Sequence, residues 1–407
     1  MDAHIEYSMF QAIRPHYERI AKYSFIDMSS PCDKHTLLYN LPSVLVWILL
    51  IIYNVQHLIK VIQYRHDTDA MIKTVCIFLT TFIALIKQLG MSMHMKRVQK
   101  LYDSTKGTLL SPKNSRQKKI LEVNEKKMAK LQNLYFTLVM VACTLQSVYP
   151  LMYRARGQEV ELIIYFPIDI RQSPIFEFAV VYCNGMLTIQ AYIDLMIDCT
   201  VVTLYAQISV QLTLLRDNLL NMVDSYEDEG GSTQDKADTC ALEHENMGND
   251  ATIRRRLIQC IQHHQKIVWF IKEVESVTAI TVAAQFFGTA WIICMIVYRM
   301  VSVIFFTTEF LSMFIYFTCM LWQLYMYSYY GTQVKVESEF VCQSAYCSKW
   351  LAMSPGTRRQ LLTVMTVVSV SAKPITLLVA KIVPITLQTY ISVLRASYTL
   401  FTVLNEK

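Results

Sequence analysis

Apolar blocks of about 20 residues recur along this 407-residue chain, and they constrain its fold more than any other feature. An α-helix needs a block of that length to cross the hydrocarbon core of a bilayer, because it rises about 1.5 Å per residue and the core is about 30 Å thick. Hydrophobic residues make up 53% of the chain and charged residues only 17%. The sequence therefore predicts an all-α, polytopic membrane protein.

Seven of the apolar blocks are long enough to span a membrane. They lie at residues 37–58, 71–91, 134–153, 178–204, 276–298, 301–327 and 384–404. A further apolar stretch at 361–383 is interrupted by Lys373-Pro374 after about a dozen residues, which is too few to cross a bilayer. We expect a buried helix there that ends at the proline.

The distribution of lysine and arginine predicts the orientation of the spans. Most of these residues outside the spans lie in the N-terminal segment and in the connections after the second, fourth and sixth spans. Positive residues concentrate on the cytoplasmic side, so the amino end is expected inside the cell and the carboxyl end outside. The polar N-terminal segment lacks the pattern of a secretory signal, so the first span is expected to act as an uncleaved insertion signal.

The connections and spans divide the chain into five predicted segments. These are a cytoplasmic N-terminal segment (1–36), four spans that form an outer ligand-binding bundle (37–213), a mobile cytoplasmic loop (214–256), two spans with cytoplasmic anchor helices (257–383) and a last helix (384–407). The loop is expected to be mobile because its acidic core has too few large apolar residues to repay ordering. The anchor helices are expected to continue the fifth and sixth spans into the cytoplasm.

The last span contains more polar residues than a helix that faces only lipid would keep. Ser392, Thr399 and Val403 recur at i, i+7 and i+11, so they share one stripe. Arg395 lies near the middle of the same span, where an arginine costs about 2.5–3.5 kcal/mol on insertion scales. A stripe of small polar residues suits a helix that lines a water-filled path.

Other polar residues near or within the spans have competing interpretations. Asp194 and Asp198 are expected to form a solvated or salt-bridged face near the inner interface rather than a reactive carboxylate pair. Glu309 is equally compatible with a role in a ligand pocket and with a structural hydrogen bond. The trio Cys260, His263 and His264 favours packing over metal binding, because no second ligand pair follows at a zinc-like interval.

The chain has no motif of an enzyme or a nucleic-acid-binding protein. Phosphate-binding loops, nucleophile elbows and hydrolytic triads are missing from the sequence, and we expect no cofactor. The basic run at 113–130 fits a cytoplasmic helix beside anionic lipid headgroups better than it fits a nucleic-acid site.

The C-terminal third of the chain resembles the insect odorant receptors. Its last span reads PITLQTYISVLRASYTLFTVL, with the opening Pro-x-Thr-Leu-x-Thr-aromatic and the close Arg-x-Ser-Tyr-Thr-x-Phe of that family. Further matching positions are Cys260-Ile261-x-x-His264-Gln265, Phe270, Val274-Glu275, the segment 330–350 and Lys373-Pro374. The closing signature of the related gustatory receptors is absent, and the loop after the fourth span is shorter than in the shared co-receptor. The chain resembles a ligand-tuning subunit.

This resemblance implies an odour-gated, non-selective cation channel in the plasma membrane of olfactory sensory neurons. The implied assembly is a tetramer of tuning and co-receptor subunits, and its implied partners are the co-receptor, a small volatile hydrophobic ligand, membrane lipid and permeating cations, with no nucleic acid. The last helix would line the pore, with Val403 at the hydrophobic gate. A metabotropic seven-helix chemoreceptor and a homomeric gustatory-type channel remain alternatives.

The ligand site is expected in the outer halves of the spans. Volatile odorants are small and mostly apolar, which favours a cavity of aromatic and methionine side chains with few polar groups. The candidate lining residues are Phe78, Thr81, Phe82, Gln146, Tyr149, Tyr153, Tyr182, Met186, Ile189, Phe310, Met313 and Tyr316.

Overall fold

Nine α-helices account for most of the residues that the computed structural model describes. It describes residues 34–105, 110–112, 114–157, 162–167, 172–223, 239–303, 307–370, 376–379 and 383–405. The described helices are α1 (Lys34–Gln63), α2 (Thr68–Met93), α3 (Met95–Ser104), α4 (Ser115–Ala155), α5 (Ile175–Leu220), α6 (Thr239–Ser302), α7 (Thr308–Tyr346), α8 (Pro355–Val370) and α9 (Leu387–Asn405). A 3-10 turn, Trp350–Ala352, precedes α8, and two short strands, β1 (Leu378–Val379) and β2 (Val383–Pro384), precede α9.

The helix lengths confirm the predicted all-α, seven-span architecture. Six helices, α1, α2, α4, α5, α6 and α7, are long and apolar enough to cross a membrane. The seventh span is α9, whose 19 residues extend about 28 Å. Helix α8 has 16 residues and extends only about 24 Å, so it is shorter than a span. It ends at Val370, and Lys373-Pro374 lie outside the described residues.

Two predicted boundaries differ from the structure. Val301 belongs to α6, and the sixth span starts instead at Thr308. The start of α7 is fixed by Thr307, whose Oγ1 accepts a hydrogen bond from the backbone N–H of Phe310 (3.2 Å). A threonine in this N-cap position satisfies a backbone donor that has no partner within the helix.

The predicted loop at 214–256 is shorter than expected. Residues 214–220 complete α5, and 239–256 form the first turns of α6. The run ALEHENM within the latter stretch consists mostly of good helix formers, which outweighed its acidic character. Residues 224–238 lie outside the described part of the chain, as does the N-terminal segment 1–36 except for 34–36. Helices α6 and α7 each continue without a break from a span into the predicted cytoplasmic region.

The last helix begins after a short hairpin that an all-helical prediction did not include. Strand β1 pairs antiparallel with β2, with Leu378 opposite Pro384. Because Pro384 is in the strand, α9 starts at Leu387 and not at 384 as predicted. The Oγ1 atom of Thr386 accepts from the N–H of Thr389 (3.4 Å) at this helix start.

The hairpin also attaches α9 to α7. The backbone N–H of Leu387 donates to Thr332 Oγ1 on α7 (2.9 Å). One residue earlier on α7, Gly331 lies so close to Ile385 that an added Cβ atom would overlap the carbonyl oxygen of Ile385. The absence of a side chain at this glycine therefore allows the close approach of the two segments.

Helix α5 is the centre of the bundle. In the most apolar 18-residue stretch of α5, 94% of the residues are buried, whereas in that of α4 only 12% are buried. It packs against α2, α4, α6 and α7. At its inner end, Arg216 forms an ion pair with Glu337 of α7 (2.5 Å). The other spans are thus arranged around one buried helix, and a cavity beside that helix is enclosed on several sides.

Substitution of Gly331 tests the junction between α7 and α9. We expect Gly331→Ala to lower the free energy of unfolding by about 1–3 kcal/mol, because a Cβ atom there must displace backbone. The control is Gly185→Ala on α5, where an added Cβ would meet no atom within 4 Å. Thermal melting of the detergent-solubilised protein, followed by size-exclusion chromatography, measures both. Equal melting temperatures for the two variants would contradict the close contact.

Candidate ligand-binding site

A cavity of about 280 Å³ lies beside α5 and extends from Lys73 and Glu309, at the predicted outer ends of their spans, to Tyr135 and Gln323, near the predicted inner ends. Helices α1, α2, α4, α6 and α7 and the segment 162–164 supply its other walls. The cavity is therefore not confined to the first four spans. Its middle is apolar, with walls from Ile77, Ala84, Val139, Ala142, Leu187, Met313 and Met320. Such a cavity suits a small, mostly apolar ligand.

Four of the twelve predicted ligand-binding residues line this cavity. They are Thr81, Gln146, Met313 and Tyr316. Tyr316 also shares a hydrogen bond with Thr80, which links α7 to α2 across the cavity wall. Their role in ligand binding remains a prediction.

Seven other predicted residues lie elsewhere. Phe78 and Phe82 stack on each other (5.7 Å between ring centroids), and Phe310 stacks on Phe314 (6.4 Å). Tyr182 donates a hydrogen bond to Gln56 of α1 (3.0 Å), and Met186 is in the core. Ile189 is exposed and Tyr153 is half-buried outside the cavity. The side chain of Tyr149 lies outside the described residues.

These misplacements have one geometric cause. On α5 the cavity wall is formed by Cys183, Leu187, Gln190 and Asp194, whereas the predicted stripe was Tyr182, Met186 and Ile189. The two stripes have the same spacing, but they differ by one residue, which rotates a helical stripe by about 100°. On α2 the cavity is lined by Ile77 and not by Phe78, a shift of one residue in the opposite direction. The error arose because the residues were chosen by side-chain type and not by the helix face on which they lie.

One end of the cavity contains a group of three ionic side chains. Glu309, at the start of α7, forms ion pairs with Lys73 of α2 and with Arg299 at the end of α6, the latter at 3.0 Å. All three residues line the cavity. Glu309 therefore has the structural role considered for it, since it joins three helices, and it also lines the cavity, where a role in ligand binding stays a prediction. The group, which we term the outer ionic group, has two positive charges against one negative charge.

The other end of the cavity lies on a buried ion cluster, which consists of Lys87, Asp194 and Asp198. Lys87 of α2 is fully buried, and its Nζ lies 2.7 Å from Asp194 Oδ1 and 2.5 Å from Asp198 Oδ1, both on α5. It also donates to Gln285 Oε1 of α6 (2.8 Å). An ammonium group has three protons, so these partners satisfy all of them.

Further hydrogen bonds complete the surroundings of the buried ion cluster. Tyr327 of α7 donates to Asp198 Oδ1 (2.8 Å), and Tyr135 of α4 donates to Asp198 Oδ2 (3.2 Å). Gln323 of α7 donates to Asp198 Oδ2 and to Asp194 Oδ2, the latter at 3.2 Å. The cluster thus connects α2, α4, α5, α6 and α7 directly beneath the cavity.

This arrangement decides between the two expected environments of Asp194 and Asp198. They are salt-bridged, as expected, but Asp198 is buried and not solvated. Lys87 was not among the predicted site residues, although it lies inside the apolar span 71–91. A lysine within a span requires a buried anion, and the Asp pair at i and i+4 was the available one. That signal was present in the sequence.

The predicted pore residues lie on the exposed side of α9. Ser392 and Thr399 are exposed, and so is Arg395, which shares their face. The two hydroxyls donate to the carbonyls one turn earlier, Ser392 to Gln388 (2.9 Å) and Thr399 to Arg395 (3.0 Å). The side chain of Val403 lies outside the described residues, although its backbone belongs to α9. The opposite side of α9 packs on α6 and α7.

His263 has a packing role. Its Nε2 donates to Gln211 Oε1 of α5 (2.9 Å), and both side chains are buried. Cys260 is buried on the same helix, α6. This contact joins the predicted cytoplasmic parts of α5 and α6.

The fold and cavity define a seven-helix membrane protein with an enclosed site for a small ligand. The family model described as 7tm Odorant receptor matches residues 67–398, which is most of the chain. The chain therefore belongs to the odorant receptor family, a family of receptors and not of enzymes.

Individual relatives agree with this family. The chain is 22% identical over 281 residues to Odorant receptor 10 of Aedes albopictus, and this alignment covers 68% of the chain and 67% of that receptor. It is 22% identical over 339 residues to Putative odorant receptor 92a of Drosophila melanogaster, and this alignment covers 80% of the chain and 76% of that receptor. The solved structure of the olfactory receptor OR5 from Machilis hrabei in complex with eugenol aligns with a TM-score of 0.78 at 15% identity, over 97% of the chain and 98% of that receptor. At this identity the likeness shows the same fold.

Removal of the buried lysine tests the buried ion cluster. We expect Lys87→Met to lower the free energy of unfolding by about 3–5 kcal/mol, because it leaves two buried carboxylates without their cation. The matched control is Lys119→Met, which removes an exposed lysine from α4. Thermal melting of the purified protein compares the two.

A second substitution separates the charge imbalance from the loss of packing. Lys87→Met combined with Asp198→Asn removes one of the two uncompensated charges, so the double variant should melt at a higher temperature than Lys87→Met alone. A double variant that is no more stable than Lys87→Met would mean that charge balance is not what Lys87 provides.

Proposed function

We propose that this chain is the odorant-binding subunit of a ligand-gated, non-selective cation channel in the plasma membrane of olfactory sensory neurons. The observation that supports this most strongly is the enclosed cavity above the buried ion cluster. A ligand in this cavity would contact helices that the cluster joins directly. Membership of the odorant receptor family supports the ligand class, and the relative from Machilis hrabei was solved with a small molecule, eugenol.

The proposed ligand is a small volatile molecule with a large apolar part. Apolar side chains form most of the cavity lining, and its charged groups lie in two places, at the outer ionic group and at Asp194. Binding would depend mainly on shape and dispersion in the middle, with hydrogen bonds to fix the orientation at one end. Met313 and Tyr316 are the lining residues whose size most directly limits the ligand.

The proposed pore is formed by α9 from each of four subunits. The exposed face with Ser392, Arg395 and Thr399 is available in the single chain for a conduit or for neighbouring subunits. Val403 follows on the same stripe toward the predicted extracellular end. Four apolar side chains that approach one another can stop ions by dewetting, so Val403 is the proposed gate.

The proposed partner subunit is the odorant receptor co-receptor. Arg395 lies on the same exposed face as the proposed pore residues, and four arginines around a narrow conduit would oppose the passage of cations. A mixed tetramer would contain fewer of them, which favours assembly with the co-receptor over a homomer. Lipid would surround the exposed apolar faces of α1 and α4.

Whole-cell recording tests the proposed function. We expect cells that express the chain together with the co-receptor to give an odorant-evoked cation current that persists when G-protein signalling is blocked. Cells with the co-receptor alone, or with this chain alone, are the controls. A current that disappears with G-protein block would indicate a metabotropic receptor, and a full current from this chain alone would indicate a homomeric channel.

The same recordings distinguish the cavity from the rest of the bundle. Met313→Ala should change the ranking of ligands, whereas Phe178→Ala, at a side chain that is 73% exposed on the outside of α5, should not. Loss of all current in both variants would instead indicate a general defect in assembly.

The proposed gate gives a separate prediction. Val403→Ala should raise the current in the absence of ligand, because a smaller apolar side chain widens the constriction and makes it easier to hydrate. Leu404→Ala is the control, because it also truncates an apolar residue but lies five positions after Thr399, which places it about 140° from that residue around the helix. Basal current and gating that are unchanged in Val403→Ala would exclude Val403 as the gate.

A further inference from the structure

Gln190 is a buried polar residue in the cavity wall with no structural role of its own. Its side chain is 2% exposed, and neither the amide nitrogen nor the amide oxygen has a hydrogen-bond partner within the described residues. It lies on α5 one turn before Asp194, and both residues line the cavity. A buried amide without partners costs about 1–3 kcal/mol in desolvation, so its presence calls for an occupant of the cavity.

Asp194 also has unused capacity to accept hydrogen bonds. A carboxylate offers about four acceptor positions. Among the described residues, Asp198 has all four occupied, by Lys87, Tyr327, Tyr135 and Gln323. Asp194 has two partners, Lys87 at 2.7 Å and Gln323 at 3.2 Å. Its side chain is 18% exposed, toward the cavity.

Gln190 and Asp194 together offer a donor and an acceptor at the inner end of an apolar cavity. We propose that they bind a hydroxyl group, which donates its proton to Asp194 and accepts a hydrogen bond from the amide nitrogen of Gln190. The ligand class is then a small alcohol or phenol whose apolar part fills the middle of the cavity. This assignment rests on the proposed function, because it names the ligand of the same site.

Other polar groups fit these two partners less well. An ether or a ketone accepts the hydrogen bond of Gln190 but leaves Asp194 unsatisfied. A carboxylate is repelled by Asp194. A protonated amine would satisfy Asp194, but the outer ionic group has an excess positive charge from Lys73 and Arg299 over Glu309. Of the groups compared, only the hydroxyl is neutral and both donates and accepts.

Isomeric ligand pairs test this inference on cells that express the full chain and the co-receptor. Heptanol and hexyl methyl ether have the same atoms, as do benzyl alcohol and anisole, and each pair differs in the hydroxyl group. We expect the alcohol of each pair to activate at a concentration about tenfold lower than its ether. Equal potencies within the pairs, or a lower activating concentration for heptylamine than for heptanol, would overturn the assignment.

Two substitutions test which side chains bind the hydroxyl group of the ligand. Gln190→Met keeps the length of the side chain and should raise the activating concentrations of the alcohols about five- to tenfold, and those of the ethers as well, because both oxygens accept from the Gln190 amide. It removes an unpaired buried amide, so it should not lower the melting temperature. Asp194→Asn should weaken the alcohols selectively, because a hydrogen bond to a charged acceptor is about twice as strong as a neutral one.

Gln207→Met on the same helix is the control, since Gln207 is also buried but lies outside the cavity. A Gln190→Met receptor with the same activating concentrations for the alcohols as the unmodified one would overturn the role of Gln190. If the proposed function were wrong, the result would be different: no alcohol, ether or other odorant would evoke a current that depends on this chain. Activation by non-hydroxylic odorants alone would preserve the proposed function and contradict this inference.

Discussion

The burial of Lys87 is the constraint on which the rest of the structure depends. An unpaired ammonium group in the interior of a membrane bundle would be strongly unfavourable, so the chain must supply anions and acceptors around it. Asp194 and Asp198 provide the anions, and Gln285 the remaining acceptor. Because these residues come from α2, α5 and α6, the three helices can pack in few other registers. The cavity above this point is shaped by the same contacts.

The buried ion cluster also lies on a continuous series of contacts between the cavity and α9. Asp194 faces the cavity, and Asp198 accepts a hydrogen bond from Tyr327 of α7 (2.8 Å). One turn further along α7, Gly331 approaches Ile385, and Thr332 accepts from the first residue of α9. A ligand that alters the hydrogen bonds of Asp194 would therefore act on residues that adjoin the attachment of the proposed pore helix.

Much of the fold could be predicted from the sequence, because span length and charge distribution are set by the bilayer. The hairpin at 378–384 could not, because two short strands have no periodic signal and depend on their contact with α6, where Glu275 accepts a hydrogen bond from the N–H of Leu378. Four of the twelve predicted ligand-binding residues line the cavity, and most of the others lie on other helix faces. The spacing of a helical stripe is visible in the sequence, whereas its rotation depends on the neighbouring helices. The polar residues Lys87, Gln190 and Asp194 would have indicated that rotation better than the aromatic residues did.

The central claim is that the cavity above the buried ion cluster is where the ligand of this receptor binds. The most direct measurement is a cryo-electron microscopy structure of the assembled receptor with an activating ligand bound. The account predicts ligand density between α2, α4, α5 and α7, with the polar atom of the ligand beside Asp194. Ligand density at a subunit interface or on the outer surface, with this cavity unchanged from the ligand-free state, would contradict it.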